Sequence, residues 1–93
     1  MGYVFEWDSV KAESNARKHD VTFDEASTVF GDPLAVLAPD PDHSLVEDRF
    51  ILLGMSNRRR LLVVALAERP PRTRLISARK ATQRERLNYE KEG

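Results

Sequence analysis

The stretch RTRLISARKATQRERLNYEKEG, residues 72–93, indicates a strand that passes directly into a helix. Its β-like first part ends at the adjacent cations Arg79 and Lys80. Thr82 and Glu85 then have the spacing of a capping box, which begins a helix. Cations are therefore expected at a strand–helix junction, where a small domain can hold an anionic ligand next to a helix N-terminus.

Two further apolar segments, residues 49–55 and 60–67, precede this strand and are joined to each other and to it by short connections. Short connections favour antiparallel pairing, because parallel strands need a longer crossover. Residues 61–67 are apolar at every position, which predicts a central strand that is covered on both faces.

The N-terminal third predicts two helices. Asp8 is expected to cap a helix over residues 9–19, whose last turn carries basic side chains that suit the helix dipole. Residues 22–25, with the pattern T-x-x-E, begin a second helix of about nine residues. The patterns at 3–7 and 34–38 are those of a short first strand and a weak strand.

We therefore predict one small α+β domain over residues 1–93. It has a curved antiparallel sheet of about four strands, two N-terminal helices and one C-terminal helix. The chain has 93 residues, 41% of them hydrophobic, which is enough for one thin core.

Cysteine is absent, so the sequence predicts neither disulfides nor thiolate metal sites, and a cytoplasmic location is expected. The longest apolar run, residues 61–67, is too short to cross a bilayer, and the N-terminus does not have the pattern of a signal peptide. We expect no membrane partner.

The net charge of zero conceals a division between the two halves. Residues 1–57 contain four cations and eleven anions, whereas residues 58–93 contain eleven cations and four anions. Such asymmetry suggests two surfaces with different partners, although the charges of the two halves can also interleave and pair in the fold.

The sequence contains no Gly-rich phosphate loop, no zinc-ligand set and no H-E-x-x-H, so no cofactor and no metal are expected. Cations, two histidines and hydroxyls remain, and this set suits the cleavage of RNA without a metal. RNA carries its own nucleophile, the 2′-OH, so an enzyme needs to align that oxygen, stabilise added negative charge and transfer protons.

Arg79 is the first candidate for a catalytic residue, because its fork fits phosphate oxygens at the start of a helix. A salt bridge to an acidic residue of the first half, residues 1–57, is its alternative role. His19 and Lys18 are candidates for proton transfer, with a C-terminal helix cap as the alternative. The candidates for RNA binding are Arg60, Arg74, Lys80 and Tyr89. A solvated strand end is the alternative for these cations, and a position at the edge of the core is the alternative for the tyrosine.

These segments resemble a known family, the toxins of the BrnT/BrnA toxin–antitoxin system. The similar segments are FEWDSVKAESNARKHDVTFDEASTVFGDP, DPDHS with EDRF, RLLVVALAER and RLISARKATQRERLNYE, in this order over nearly the whole chain. The resemblance implies a fold like that of RelE-type ribonuclease toxins and metal-independent cleavage of RNA, which stops translation and growth. It also implies a ribbon-helix-helix antitoxin partner, similar to BrnA, which contacts operator DNA.

By position, the resemblance places the family's K-H-G helix end on residues 18–20 and its H-S-E loop on His43 and Ser44. Its S-A-R-[RK]-A-T segment falls on residues 77–82. Asp20 stands where the family usually has Gly, and two apolar residues follow Ser44 where the family has an acidic stretch.

The leading interpretation is an endoribonuclease that leaves a 2′,3′-cyclic phosphate and a free 5′-OH. A non-catalytic RNA-binding module and a protein-interaction partner of a DNA-binding antitoxin are the alternatives from other classes.

Overall fold

The computed structural model describes residues 3–42 and 48–92. The elements in this part of the chain, in order, are β1 Phe5–Glu6, α1 Ser9–His19, α2 Phe23–Thr28 with a 3₁₀ turn Val29–Gly31, β2 Val36–Pro39, β3 Arg49–Met55, β4 Leu61–Arg69, β5 Arg72–Lys80 and α3 Gln83–Glu92. Helix α1 has the predicted bounds, and α2 with its 3₁₀ turn has the predicted nine residues.

Short-range capping chemistry sets the helix ends as expected. The Asp8 carboxylate accepts hydrogen bonds from the Val10 and Lys11 amides at the start of α1. At the other end of this helix, Asp20 adopts the left-handed conformation with φ 59°, a position that glycine usually fills.

The five strands form one mixed sheet in the order β1-β5-β4-β3-β2. The prediction of about four antiparallel strands is therefore wrong in number and in direction, because β1 joins the edge of the sheet parallel to β5. The reason is topological: helices and three other strands separate β1 from β5, so no hairpin joins them. The predicted meander β3-β4-β5 is confirmed, with β4 at the centre.

The core lies between α1 and α2 and one face of the sheet. Phe23 and Val29 pack there against Leu62, Val64 and Leu66, which alternate along β4 and are almost completely buried. Every second residue of a strand points to the same face, so the odd-numbered residues of β4 point to the other face.

A β-bulge changes this alternation within β5. Ala65 of β4 pairs with Ser77 and Leu66 pairs with Leu75, so Ile76 has no partner on β4. As a result Leu75 and Ala78, three residues apart, both lie in the core cluster, whereas Ser77 points to the opposite face.

Candidate functional site

One groove of the molecule runs between α1 and the edge of β5, and we call it the α1–β5 groove. Four α1 side chains that line it, Lys11, Ser14, Asn15 and Lys18, have the i, i+3, i+4, i+7 spacing of one helix stripe. Across from them the bulged Ile76 lines the groove. Because of the bulge, two consecutive β5 residues, Ile76 and Ser77, both line the groove. In a regular strand, consecutive side chains point to opposite faces.

Asn15 holds the two walls of this groove together. Its Nδ2 donates to the Ala78 carbonyl at 2.8 Å and to the Val21 carbonyl at 3.0 Å, and its Oδ1 accepts from the Ala78 amide at 3.1 Å. Beyond Arg74, β1 no longer pairs with β5, so the Asn15 amide takes the place of a neighbouring strand there. Asn15 is buried, and both polar atoms of its side chain form hydrogen bonds. These bonds fix the position of α1 relative to β5.

Lys18 and His19 lie at one end of the groove, together with Ser77. Lys18 is exposed and His19 is partly buried. Neither side chain has a hydrogen-bond or ion-pair partner among residues 3–42 and 48–92. An ammonium, an imidazole and a hydroxyl thus converge where they can contact a ligand.

The other end of the groove is also cationic. Lys11, Arg49, Arg69 and Arg74 line it together with Asp8. Lys11 and Ile76 line both depressions, so the two adjoin along α1 and β5. The Arg74 guanidinium lies 3.6 Å from Glu6, a loose ion pair in which the arginine side chain is one-third exposed.

Arg60 lies outside the groove, bound in a carboxylate network on the core side of the sheet. Its Nε donates to Glu25 at 2.9 Å, a second nitrogen also contacts Glu25, and that nitrogen donates to the Asp20 carbonyl at 2.8 Å. Glu25 is only 5% exposed and also accepts from the Ser56 hydroxyl. The hydrogen bonds from Arg60 keep the pKa of Glu25 below its ordinary value despite burial.

Arg79 is bound by an acidic residue of the helix that follows it. Two of its nitrogens donate to the two Glu85 carboxylate oxygens, each at 2.8 Å, in a bidentate pair. The hydrogen bonds from Arg79 and the Thr82 amide lower the pKa of Glu85 to about 2. Glu85 therefore completes the predicted capping box and holds Arg79, whose side chain stays 42% exposed.

Tyr89 is buried at the edge of the core, which was the alternative to an RNA contact. Its hydroxyl donates to Asp32 at 2.7 Å, and that hydrogen bond together with burial raises the pKa of Tyr89 to about 12. Burial by itself would raise the pKa of Asp32, but hydrogen bonds from the Met55 amide, Tyr89 and the Leu34 amide lower it. The ring is 8% exposed, so it offers no open face on which a base can stack.

The candidate site residues thus fall into those that line the α1–β5 groove and those that lie outside it. Lys18, His19 and Arg74 line the α1–β5 groove, while Lys80 lies 3.7 Å from the Asp20 carboxylate beside the Arg60 network. Arg60 and Arg79 extend to opposite faces of the sheet, so these two candidates do not lie in one site. Their partners, Glu25 on α2 and Glu85 on α3, explain the separation.

The sequence analysis did not identify six polar residues that line the groove: Lys11, Ser14, Asn15, Arg49, Arg69 and Ser77. The seven-residue spacing of Lys11 and Lys18 could have predicted that both lie on one stripe of α1. No pattern in residues 72–80 predicts the bulge at Ile76. His43 and Ser44 lie outside the described residues.

Within residues 3–42 and 48–92, no group of three or more His, Asp or Glu side chains is placed to hold a metal ion. None of the helices in the same residues is long and apolar enough to cross a membrane.

The fold and the groove together define a small α+β protein with a cationic cleft that suits a polyanion. Residues 7–85 match the family model of the ribonuclease toxin BrnT of type II toxin–antitoxin systems. The chain belongs to this family, as its sequence predicted. Family membership implies an RNA substrate and an antitoxin partner.

Among solved structures, the chain is similar to the Brucella abortus ribonuclease toxin BrnT. The match has a TM-score of 0.67 and 22% sequence identity, and it covers 89% of this chain and all of the other. This likeness confirms the α+β fold, whereas the narrower likeness to RelE-type toxins stays a prediction. None of the curated protein sequences that were compared matches the chain.

Proposed function

We propose that this protein is a metal-independent endoribonuclease toxin that cleaves single-stranded RNA in the α1–β5 groove. The observation that carries this proposal is the position of Lys18 and His19, unpaired within the described residues, at one end of a cation-lined groove. Phosphate contacts by cations give sequence-independent attraction to RNA. A groove between a helix and a strand edge suits one extended strand better than a duplex.

In the proposed reaction, the 2′-oxygen attacks the adjacent phosphorus and the bond from phosphorus to the 5′-oxygen breaks. His19 takes the proton of the 2′-OH, and a solvent water gives a proton to the leaving 5′-oxygen. The products are a 2′,3′-cyclic phosphate and a free 5′-OH. Lys18 stabilises the charge that develops on the phosphate oxygens, with the Ser77 hydroxyl nearby as a donor.

Arg79 lies two residues beyond Ser77 on the same face of β5, since both pair with alternate residues of β4. We include it in the proposal as a cation near Ser77 that Glu85 holds in position. Arg60 is left out, because Glu25 and Asp20 engage its guanidinium on the other face.

The biological part of the proposal follows from the family. Cleavage of cellular RNA would inhibit translation and growth in the cytoplasm. A ribbon-helix-helix antitoxin, through which operator DNA is contacted, would neutralise the toxin. The excess of carboxylates in residues 1–57 suits a basic segment of such an antitoxin.

The test is incubation of the purified protein with a labelled single-stranded RNA in the presence of EDTA, with analysis of the product ends. We expect cleavage with cyclic phosphate ends, and a loss of roughly 100-fold or more in rate for His19→Gln and for Lys18→Ala. Arg17→Ala is the matched control, because Arg17 lies on the same helix turn, is exposed and pairs only with Glu13 among the described residues.

Intact RNA that is nevertheless bound by the wild-type protein would contradict the proposal and identify a non-catalytic RNA-binding module. An absence of both cleavage and salt-dependent binding would instead indicate a protein-interaction partner. Full activity of both His19→Gln and Lys18→Ala would show that the reaction centre lies elsewhere.

A further inference from the structure

The α1–β5 groove continues past the residues to which we assign the reaction. Lys11 precedes Lys18 by seven residues on the same stripe of α1, which separates their Cα atoms by roughly 10 Å along the helix axis. This separation exceeds the reach of one phosphate group. A strand of RNA that is bound at Lys18 and His19 therefore has a second phosphate within reach of Lys11 if it follows the groove.

The side chains around Lys11 have the chemistry of a phosphate site. Arg49, Arg69 and Arg74 lie in the same depression, against the Asp8 carboxylate. One oxygen of Asp8, Oδ1, already accepts from two α1 amides at 2.8 and 3.3 Å. Four cations and one carboxylate thus line this depression.

Two of these cations remain able to bind a ligand. No residue in the described part of the chain contacts the Lys11 ammonium through a hydrogen bond or an ion pair. Arg74 lies 3.6 Å from Glu6, which is longer than a charge-assisted hydrogen bond, so its fork can turn to a bidentate phosphate contact. Asn15, midway between Lys11 and Lys18, fixes the spacing of the two ends through its bonds to Ala78.

We propose that the Lys11–Arg74 end of the groove is a separate phosphate-binding subsite, which holds a non-scissile phosphate of the RNA strand that is cleaved at the other end. This inference rests on the proposed function. Its consequence is a dependence on substrate length: RNA with phosphates beyond the scissile one binds both ends, whereas a dinucleotide with a single phosphodiester occupies only the Lys18–His19 end.

The experiment measures kcat/KM for a dinucleotide and for oligoribonucleotides of three to six residues with the wild-type protein, Lys11→Gln and Arg17→Gln. Both substitutions remove one cation from an exposed position of α1, but Arg17 lies outside the groove-lining set. We expect kcat/KM of the wild type to rise with length. Lys11→Gln should lose about tenfold on the longer substrates only, as expected for one lost bond to a charged group.

A second measurement separates this subsite from the proposed reaction. Binding of non-cleavable 2′-O-methyl oligonucleotides at several salt concentrations should give a slope of log K against log salt that is smaller by about 0.7 for Lys11→Gln than for Arg17→Gln. If wild type cleaves no RNA, the proposed function fails, yet this slope still tests the subsite. Equal losses on all lengths, or equal slopes for the two variants, would overturn the subsite.

Discussion

The α1–β5 groove and the Arg60 network adjoin at the C-terminal end of α1, where His19 belongs to the groove and Asp20 belongs to the network. In the groove, Lys18 carries a charge that no residue of the described chain neutralises. In the network, Arg60 is bonded to the Glu25 carboxylate and to the Asp20 carbonyl. Cations that lie close together in the fold therefore have different roles, and the folded position of the carboxylates decides which role each has.

The difference has an energetic basis. An exposed lysine contributes little to stability and keeps its charge for a ligand, because water solvates it in the folded and unfolded states alike. Arg60 is partly buried, and its partner Glu25 is 5% exposed. A buried carboxylate without its partner is costly, so the pair stabilises the fold only while it is intact.

The largest difference in stability between the two regions is expected between Arg60→Ala and Lys18→Ala. We expect Arg60→Ala to lower the free energy of unfolding by about 3 kcal/mol, because the buried Glu25 charge loses its main partner. Lys18→Ala should change it by no more than about 0.5 kcal/mol. Urea denaturation measures both.

The double variant Arg60→Ala/Glu25→Gln is the control, and it should recover part of the loss because the uncompensated charge is gone. If Arg60→Ala keeps its stability but loses RNA cleavage, Arg60 belongs to the reaction site and the division into groove and network is wrong.

Asn15→Ala tests whether the groove itself depends on a buried structural contact. We expect a loss of about 2 kcal/mol, since the Ala78 amide and carbonyl lose their partner in a buried position. Hydrogen exchange at the Ala78 amide should become faster than at neighbouring β5 amides that bond to β4. Unchanged protection at Ala78 would show that another group can take the place of the Asn15 amide.

The smallest effect is expected for Glu85→Gln, which removes the charged partner of Arg79. The folded pKa of Glu85 is about 2, below its ordinary 4.5, so its ion pair stabilises the fold fully above pH 4.5 and loses this effect as the pH falls toward 2. Because the Arg79 side chain is 42% exposed, the contribution is on the order of 1 kcal/mol after solvent screening.

Unfolding of the wild type and Glu85→Gln between pH 2 and 6 measures this contribution, and the variant should show a flatter profile. A cleavage assay on the same variant is also informative. Unchanged cleavage by Glu85→Gln combined with full activity of Arg79→Ala would remove Arg79 from the proposed reaction.

Local patterns predicted the helices well. Asp8 begins α1, and Thr82 and Glu85 exchange the two hydrogen bonds of a capping box. Helix caps depend on residues two or three positions apart, so they can be predicted from the sequence. Thr22 forms only half of the second box, because Glu25 turns to Arg60 instead of to the helix start.

The sheet was predicted less completely, because its pairings join distant residues. The apolar run of β4 indicated a central strand, which is confirmed. The parallel position of β1 beside β5 depends on how two helices and three strands fold back over the sheet. The bulge at Ile76 depends on the packing of Leu75 and Ala78 into one core, which no local pattern of residues 72–80 shows.

The family, the helix ends, the central strand and the cation-rich C-terminal half could all be read from the amino-acid sequence, since they depend on neighbouring residues or on ordered motifs. Which cations are paired with carboxylates depends on the folded chain. Arg60 and Glu25 are 35 residues apart, and Asn15 and Ala78 are 63 apart. Such contacts form only when packing brings the elements together, and they separate cations that stabilise the fold from those that face the groove.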